Sequence, residues 1–242
     1  MERANLIVDV VDCNLEGNAK NGPIRKAFNA KCNVGGVQQF FNISAKDRAY
    51  YALKTRVIAY REELEDAYNH FNLGELFFSI PFKQISPDLT VSDKQDKIYA
   101  GLGYDVEAIK QLGRLFNKLD LNIPHFINTD VDIAYSLLAI LNNIVDYAKT
   151  VINYYLSDEN LIQIKSNKDE ARITEIYTHL EEFIDIRENC ISKIKSQIAS
   201  LESRITRESV LSGIKQIVDN EGEIGKAVSL MGIIAVTIWS LS

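Results

Sequence analysis

Helical spacing of apolar residues dominates the chain from residue 44 onward. Between Ser44 and Asn72 the apolar positions alternate three and four apart over three repeats, as they do in a heptad seam. Ser44, with Asp47 three residues later, makes a start that resembles a capping box, and Asn72-Leu73-Gly74 provides an end. The pattern predicts a helix over 44–72 whose seam is formed by Tyr50, Leu53, Val57, Tyr60, Leu64, Ala67 and Phe71.

The next segment, residues 73–90, is irregular and unusually apolar. It is interrupted by Pro81 and by a turn at Ser86-Pro87-Asp88. Loop aromatics in helical proteins are commonly buried, so we expect this segment in the core, with a partner's surface as the alternative. A further helix is predicted over 92–119, with a break at Gly101-Leu102-Gly103.

From His125 to Ser212 the sequence contains neither glycine nor proline. The first part, capped by Thr129 or Asp130, is apolar on nearly every face, which predicts a central helix buried among others. A polar break near 157–160 or 166–168 precedes a second heptad seam. Arg187 occupies one position of that seam, and the apolar positions are Ile173, Tyr177, Leu180, Ile184, Ile191, Ile194, Ile198, Leu201 and Ile205.

The second seam predicts an elongated molecule. A helix of about 40 residues would be about 60 Å long, which is more than a compact domain of this size needs. A long helical hairpin or a coiled coil would use that length. After it the apolar phase shifts at Val210, and Gly213, Gly222 and Gly225 loosen the helix.

These patterns divide the chain into three parts. Residues 1–43 form an N-terminal strand and loop segment, with a strand at Leu6–Val11 and a short helix near 24–30. Residues 44–220 form a helical bundle with a long helical hairpin, and residues 221–242 form an apolar C-terminal segment. The predicted fold class is mainly α, an elongated helical bundle with long coiled-coil-like helices and a minor β element at the termini.

The last sixteen residues, Ala227–Ser242, carry no charge. As a helix they would extend about 24 Å, short of the ~30 Å hydrocarbon core of a bilayer. Their β-branched content offers an alternative, in which residues 232–239 are a buried strand paired with Leu6–Val11. This segment is therefore buried in the protein's own core, against a partner subunit or in a membrane. The expected membrane or partner contacts are Leu230, Met231, Ile233, Ile234, Val236, Ile238, Trp239 and Leu241.

Composition and net charge restrict the partners and the cellular compartment that we expect for this protein. With 46% hydrophobic and 25% charged residues, most of the chain is expected to fold. A net charge of −6 argues against nucleic acid as a partner and disfavours anionic membranes. The apolar run at Leu6-Ile7-Val8 is interrupted by Asp9, so no signal peptide is expected, and the localisation is cytoplasmic or follows a non-classical route of release. Three cysteines, Cys13, Cys32 and Cys190, leave one unpaired in any arrangement; Cys13 and Cys32 could form a bridge, but the spacing does not resemble a disulfide framework, so a reducing compartment is the default expectation.

Candidate catalytic chemistry is sparse. His70 follows Asp66 by four residues and His179 follows Glu175 by four, whereas di-iron bundles use Glu-x-x-His, a spacing of three. We expect both histidines on solvated helix faces. Cys190 lies beside the second seam and is expected to be a packing residue. The sequence therefore predicts no catalytic, cofactor-binding or metal-binding residue and a protein that is not an enzyme.

The layout of residues 44–242 resembles the architecture of α-helical pore-forming toxins. In that class long helical hairpins accompany a concealed apolar segment, which usually lies between two long helices rather than at the chain end. The leading hypothesis is a non-enzymatic, self-assembling homo- or hetero-oligomer whose apolar C-terminal segment engages a membrane or a partner subunit. The alternative is a structural subunit of a viral or secretion-type assembly, with the tail buried in an interface.

Overall fold

The computed structural model describes residues 13–14, 30–34, 37–41, 43–71, 80–122 and 129–242, and in the first three ranges the backbone alone. There β1 (Cys13–Asn14), β2 (Ala30–Val34) and β3 (Val37–Phe41) form an antiparallel sheet in that order. Its register places the backbone of Cys13 opposite that of Cys32. The predicted strand at 6–11 lies outside the described residues, as does the predicted helix near 24–30 except for Ala30.

The rest of the described chain is mainly helical, which confirms the mainly α class. A 3₁₀ turn, Pro87–Thr90, precedes the third helix, and a π-helical turn, Thr150–Tyr155, continues the fifth. The helices are α1 (Ala45–Asn69), α2 (Phe82–Ile85), α3 (Ser92–Gly101), α4 (Val106–Phe116), α5 (Thr129–Lys149), α6 (Asp158–Asn167), α7 (Glu170–Glu202), α8 (Arg207–Val218) and α9 (Glu223–Leu241).

Side-chain caps fix where several helices begin. The hydroxyl of Ser44 accepts a hydrogen bond from the backbone N–H of Asp47 at 3.0 Å, as the sequence predicted. Asp105 caps α4 by accepting from the N–H of Ala108, and Ser157 caps α6 in the same way. Each cap satisfies a backbone donor that has no partner within its own helix.

The predicted break between α3 and α4 is confirmed. Gly103 and Tyr104 both have positive φ angles, +66° and +56°, and this left-handed pair ends α3. Gly101 also allows a close approach between helices, because a Cβ there would lie 2.7 Å from the carbonyl oxygen of Leu141 on α5. The two glycines therefore have different roles, one in the turn and one in the packing.

Helix α7 lies among the other helices and contacts α1, α4, α8 and α9. Its 33 residues make it about 50 Å long, shorter than the sequence suggested. The second seam is buried along α7 except at Tyr177, which is half-buried. The last predicted seam position is wrong, since Ile205 lies beyond the end of the helix and is almost fully exposed.

Two further predictions about packing are tested by burial. The described part of the apolar segment 73–90 is in the core, where Ile80, Phe82, Ile85 and Leu89 are buried. Helix α5 contacts α3, α8 and α9, but Asp132, Tyr135 and Asn143 are exposed, so the helix is not buried on every face. The prediction for the apolar segment is confirmed for its described residues, whereas that of a helix buried all round is not.

Arg187 is the one charged residue in the seam of α7, and it is buried. Its guanidinium carbon lies 6.0 Å from the centre of the Tyr60 ring on α1. Within the described part of the chain, its Nε has no hydrogen-bond partner. A buried donor without a hydrogen-bond partner lowers the free energy of unfolding, because water no longer solvates it.

Replacing this arginine with an apolar residue of similar length should stabilise the fold. We expect Arg187→Met to raise the free energy of unfolding by about 1–2 kcal/mol, measured by urea denaturation, because methionine continues the apolar seam. Arg172→Met, at an exposed position of the same helix, serves as the control and should change it by less than about 0.5 kcal/mol. A loss of stability in Arg187→Met beyond that of the control would contradict this account.

Candidate functional site

The C-terminal segment is a helix, so the alternative of a buried strand at 232–239 was wrong. Helix α9 runs from Glu223 to Leu241 and packs against α5, α7, α8 and the π-helical turn. Inward-facing residues recur three and four positions apart, which gives the helix one continuous apolar face. Because β propensity depends strongly on context, this packing outweighs the β-branched residues. The inward residues are Ile224, Val228, Met231, Ile234, Ala235, Ile238 and Leu241.

The eight predicted contact residues therefore separate into two groups. Met231, Ile234, Ile238 and Leu241 are buried and belong to the core. The other four point outward, and we call them the outer face of α9. Their exposed fractions are 40% for Leu230, 63% for Ile233, 57% for Val236 and 62% for Trp239.

Two hydroxyls beside the outer face, those of Thr237 and Ser240, are hydrogen-bonded within α9 itself. The hydroxyl of Thr237 donates to the carbonyl oxygen of Ile233 at 3.0 Å, and that of Ser240 donates to the carbonyl of Thr237 at 2.8 Å. Hydroxyls that bond back to their own helix do not depend on water for a partner. These two hydroxyls can therefore lose water at small cost in unsatisfied hydrogen bonds.

The two ends of α9 differ in the chemistry of their side chains, with charged residues at one end and aromatic rings at the other. At the N-terminal end Glu223 pairs with Lys193 of α7, and Lys226 is exposed. Near the other end the ring of Trp239 lies 6.4 Å from that of Tyr155 in the π-helical turn. Charge is thus confined to the first turn, and aromatic rings lie near the last.

Helix α8 is fixed to the rest of the fold by polar contacts, which set the starting point of α9. The guanidinium of Arg207 donates to both carboxylate oxygens of the fully buried Asp130, at 2.7 Å each. The turn between α8 and α9 is tight, since a Cβ on Gly225 would lie 2.4 Å from the carbonyl oxygen of Asp219. These contacts hold the N-terminal end of α9 in place.

The length of α9 can be compared with that of a bilayer. Its nineteen residues extend about 28 Å, but Glu223 and Lys226 in the first turn are charged, and the uncharged part from Ala227 extends about 22 Å, short of the ~30 Å hydrocarbon thickness. The stretch Arg207–Leu241 is long and apolar enough to cross a membrane by length and composition, and 44% of its best window is buried. A core helix of a soluble protein meets the same criteria.

The candidate catalytic residues are separate from one another. His70 contacts the backbone oxygen of Asp66 and not its carboxylate, while His179 lies 3.3 Å from Glu182 rather than beside Glu175. Burial raises the pKa of the Cys190 thiol to about 11, which keeps it protonated at neutral pH. Among the residues that the structure describes, no group of three potential metal ligands occurs.

No protein-family model matches the chain, and no curated protein matches it either.

The split of α9 into two faces is the feature that sequence reasoning missed. Its signal was present: the small polar or charged residues Lys226, Ser229, Thr237 and Ser240 recur at helical spacing and delimit the outer face. Ile233 lies on the same side of the helix as these polar residues, and its large apolar side chain is therefore the least expected one there.

Proposed function

We propose that this is a non-enzymatic, self-assembling helical protein whose C-terminal helix engages a membrane. The observation that carries the proposal is the outer face of α9, where four large apolar residues are exposed on a helix without charge from Ala227 onward. Single exposed apolar residues are ordinary, but a row of them on one helix favours an interaction surface. The proposed architecture is an elongated helical bundle.

The small free energy of binding expected for one outer face explains why self-assembly is part of the proposal. Each outer-face side chain is about half exposed, so complete burial contributes about 1 kcal/mol per residue and about 4 kcal/mol in total. That corresponds to millimolar affinity for one copy. Several copies on one membrane would bind far more tightly, because each further contact is intramolecular.

Insertion would be a second stage. Separation of α9 from α5 and α7 would expose its inward residues, and the helix would cross a locally thinned bilayer with Glu223 and Lys226 at the level of the headgroups. The heptad faces uncovered on α7 would then pair between protomers. The pivot of this movement is the turn at 219–222, because α8 is held by the contact between Asp130 and Arg207.

The alternative function is a structural subunit of a larger assembly, for example of a viral or secretion-type complex. In that case the outer face of α9 is the core of a protein interface. The same four residues support it, since interfaces are enriched in large apolar and aromatic side chains at their centres. The two functions differ in whether assembly needs lipid.

Solution mass separates the two functions. We expect the full chain to stay small in buffer and to form large species only after incubation with vesicles, measured by light scattering after detergent extraction. Large assemblies in buffer without lipid would favour the structural alternative. If the chain stays small in both conditions, self-assembly is wrong.

The comparison needs a variant that leaves the core intact. Deleting residues 227–242 would uncover the inward contacts of α5 and α7, so its effect would not be specific. The outer-face variant combines Leu230→Ser, Ile233→Ser and Val236→Ser, all at exposed positions. A matched control changes exposed isoleucines on other parts of the chain and combines Ile58→Ser, Ile162→Ser and Ile205→Ser.

A further inference from the structure

We propose that α9 first binds the surface of a zwitterionic phosphatidylcholine bilayer, lying parallel to it, while its inward face stays packed on α5 and α7. This inference rests on the proposed function and specifies how the first contact is made and with which lipid. It follows from the area of the outer face, the distribution of charge and the position of the aromatic rings.

The area of the outer face argues against a second copy as its occupant. At roughly 100 Å² for each half-exposed large side chain, the four residues present on the order of 400 Å². Two copies joined through this face would bury about 800 Å², less than the 1,200–2,000 Å² of stable protein interfaces. A bilayer needs no shape complementarity, so a small apolar face suffices for reversible attachment.

The distribution of charge argues for zwitterionic lipid. The chain has a net charge of −6, and the outer face has no basic residue to meet anionic headgroups. Lys226 is the one cation in α9, and Glu223 precedes it in the same turn. Attraction to anionic lipid requires clusters of lysine or arginine near the surface, at about 1 kcal/mol per residue.

The aromatic rings set the expected depth. Trp239 is exposed, and its ring lies beside that of Tyr155, which belongs to the part of the fold that stays in place. Tyr154, next in the same turn, is also exposed. Tryptophan and tyrosine prefer the level of the headgroups, so this end of α9 would rest at the boundary and not in the bilayer centre.

The chain contains a single tryptophan, so Trp239 reports its own depth without labelling. The experiment uses the full chain with vesicles of phosphatidylcholine brominated either near the top or near the end of the acyl chain. We expect a blue shift of the emission and about twofold stronger quenching by the shallow bromine than by the deep one. Mixing phosphatidylserine into the vesicles should not increase the shift.

The outcomes are distinguishable. Stronger quenching by the deep bromine would overturn surface binding and leave the proposed function standing, because α9 would then be inserted. A blue shift that grows with protein concentration without lipid would put a second copy on the outer face and overturn the inference. No change with any vesicle, together with no co-flotation, would overturn the proposed function as well. Binding that requires phosphatidylserine would overturn the choice of lipid.

Discussion

Serine at Ile234 is expected to lower the free energy of unfolding by about 3 kcal/mol, whereas serine at the adjacent Ile233 should lower it by about 1 kcal/mol or less, because only about a third of that side chain is buried. Ile234 is buried against the helical core, and Ile233 is 63% exposed. The first change leaves a cavity and puts a hydroxyl in an apolar environment, while the second puts it in water. The pair changes the same residue type on the same helix, one position apart.

Chemical denaturation of both variants would measure the difference. The unchanged chain provides the reference, and circular dichroism before denaturation would show whether each variant keeps its helical content. Equal losses at both positions would mean that the outer face is also packed in solution, which contradicts the exposure on which the proposed function depends. If neither variant lowers the free energy of unfolding, α9 is already detached from the core.

Removing the arginine that faces Asp130 is the second change with a large expected effect. We expect Arg207→Met to cost about 3 kcal/mol of stability, because it leaves a fully buried carboxylate without the guanidinium that donates to both its oxygens. Asp130→Asn should cost less, about 2 kcal/mol, since the remaining Arg207 is partly exposed and can be solvated.

The two substitutions form a double-mutant cycle. The combined variant should lose less stability than the sum of the single changes, because neither partner then leaves an unpaired charge. Thermal or urea unfolding of all four chains would give the coupling energy. Additive losses would show that the contact between Asp130 and Arg207 contributes nothing to the free energy of unfolding, and α8 would then be held by its buried apolar residues alone.

The helices were predictable from local signals wherever periodicity and caps agree. The N-terminal boundary of α1 follows from Ser44 and Asp47, and the break after α3 follows from Gly103. These features depend on residues a few positions apart, so the sequence contains the whole cause. The lengths were less accurate: α7 ends at Glu202, where Lys118 donates to the backbone carbonyl oxygens of Glu202 and Arg204, a contact from outside the helix that no local pattern shows.

The form of the C-terminal segment could not be derived locally. Residues 232–239 have both helical spacing and β-branched side chains, and the choice between them depends on the neighbours α5 and α7. The exposed position of Ile233 also depends on the rotation of α9 about its axis, which tertiary packing sets. The sequence indicated the segment that contains the candidate site, but not which of its residues face outward.

Co-flotation with phosphatidylcholine vesicles measures whether the outer face of α9 binds a membrane. We expect the unchanged chain and the control variant with serine at residues 58, 162 and 205 to float with the vesicles. The outer-face variant, with serine at residues 230, 233 and 236, should remain in the dense fractions at unchanged helical content. Equal flotation of the two variants, or the absence of flotation for the unchanged chain, would contradict membrane binding by the outer face.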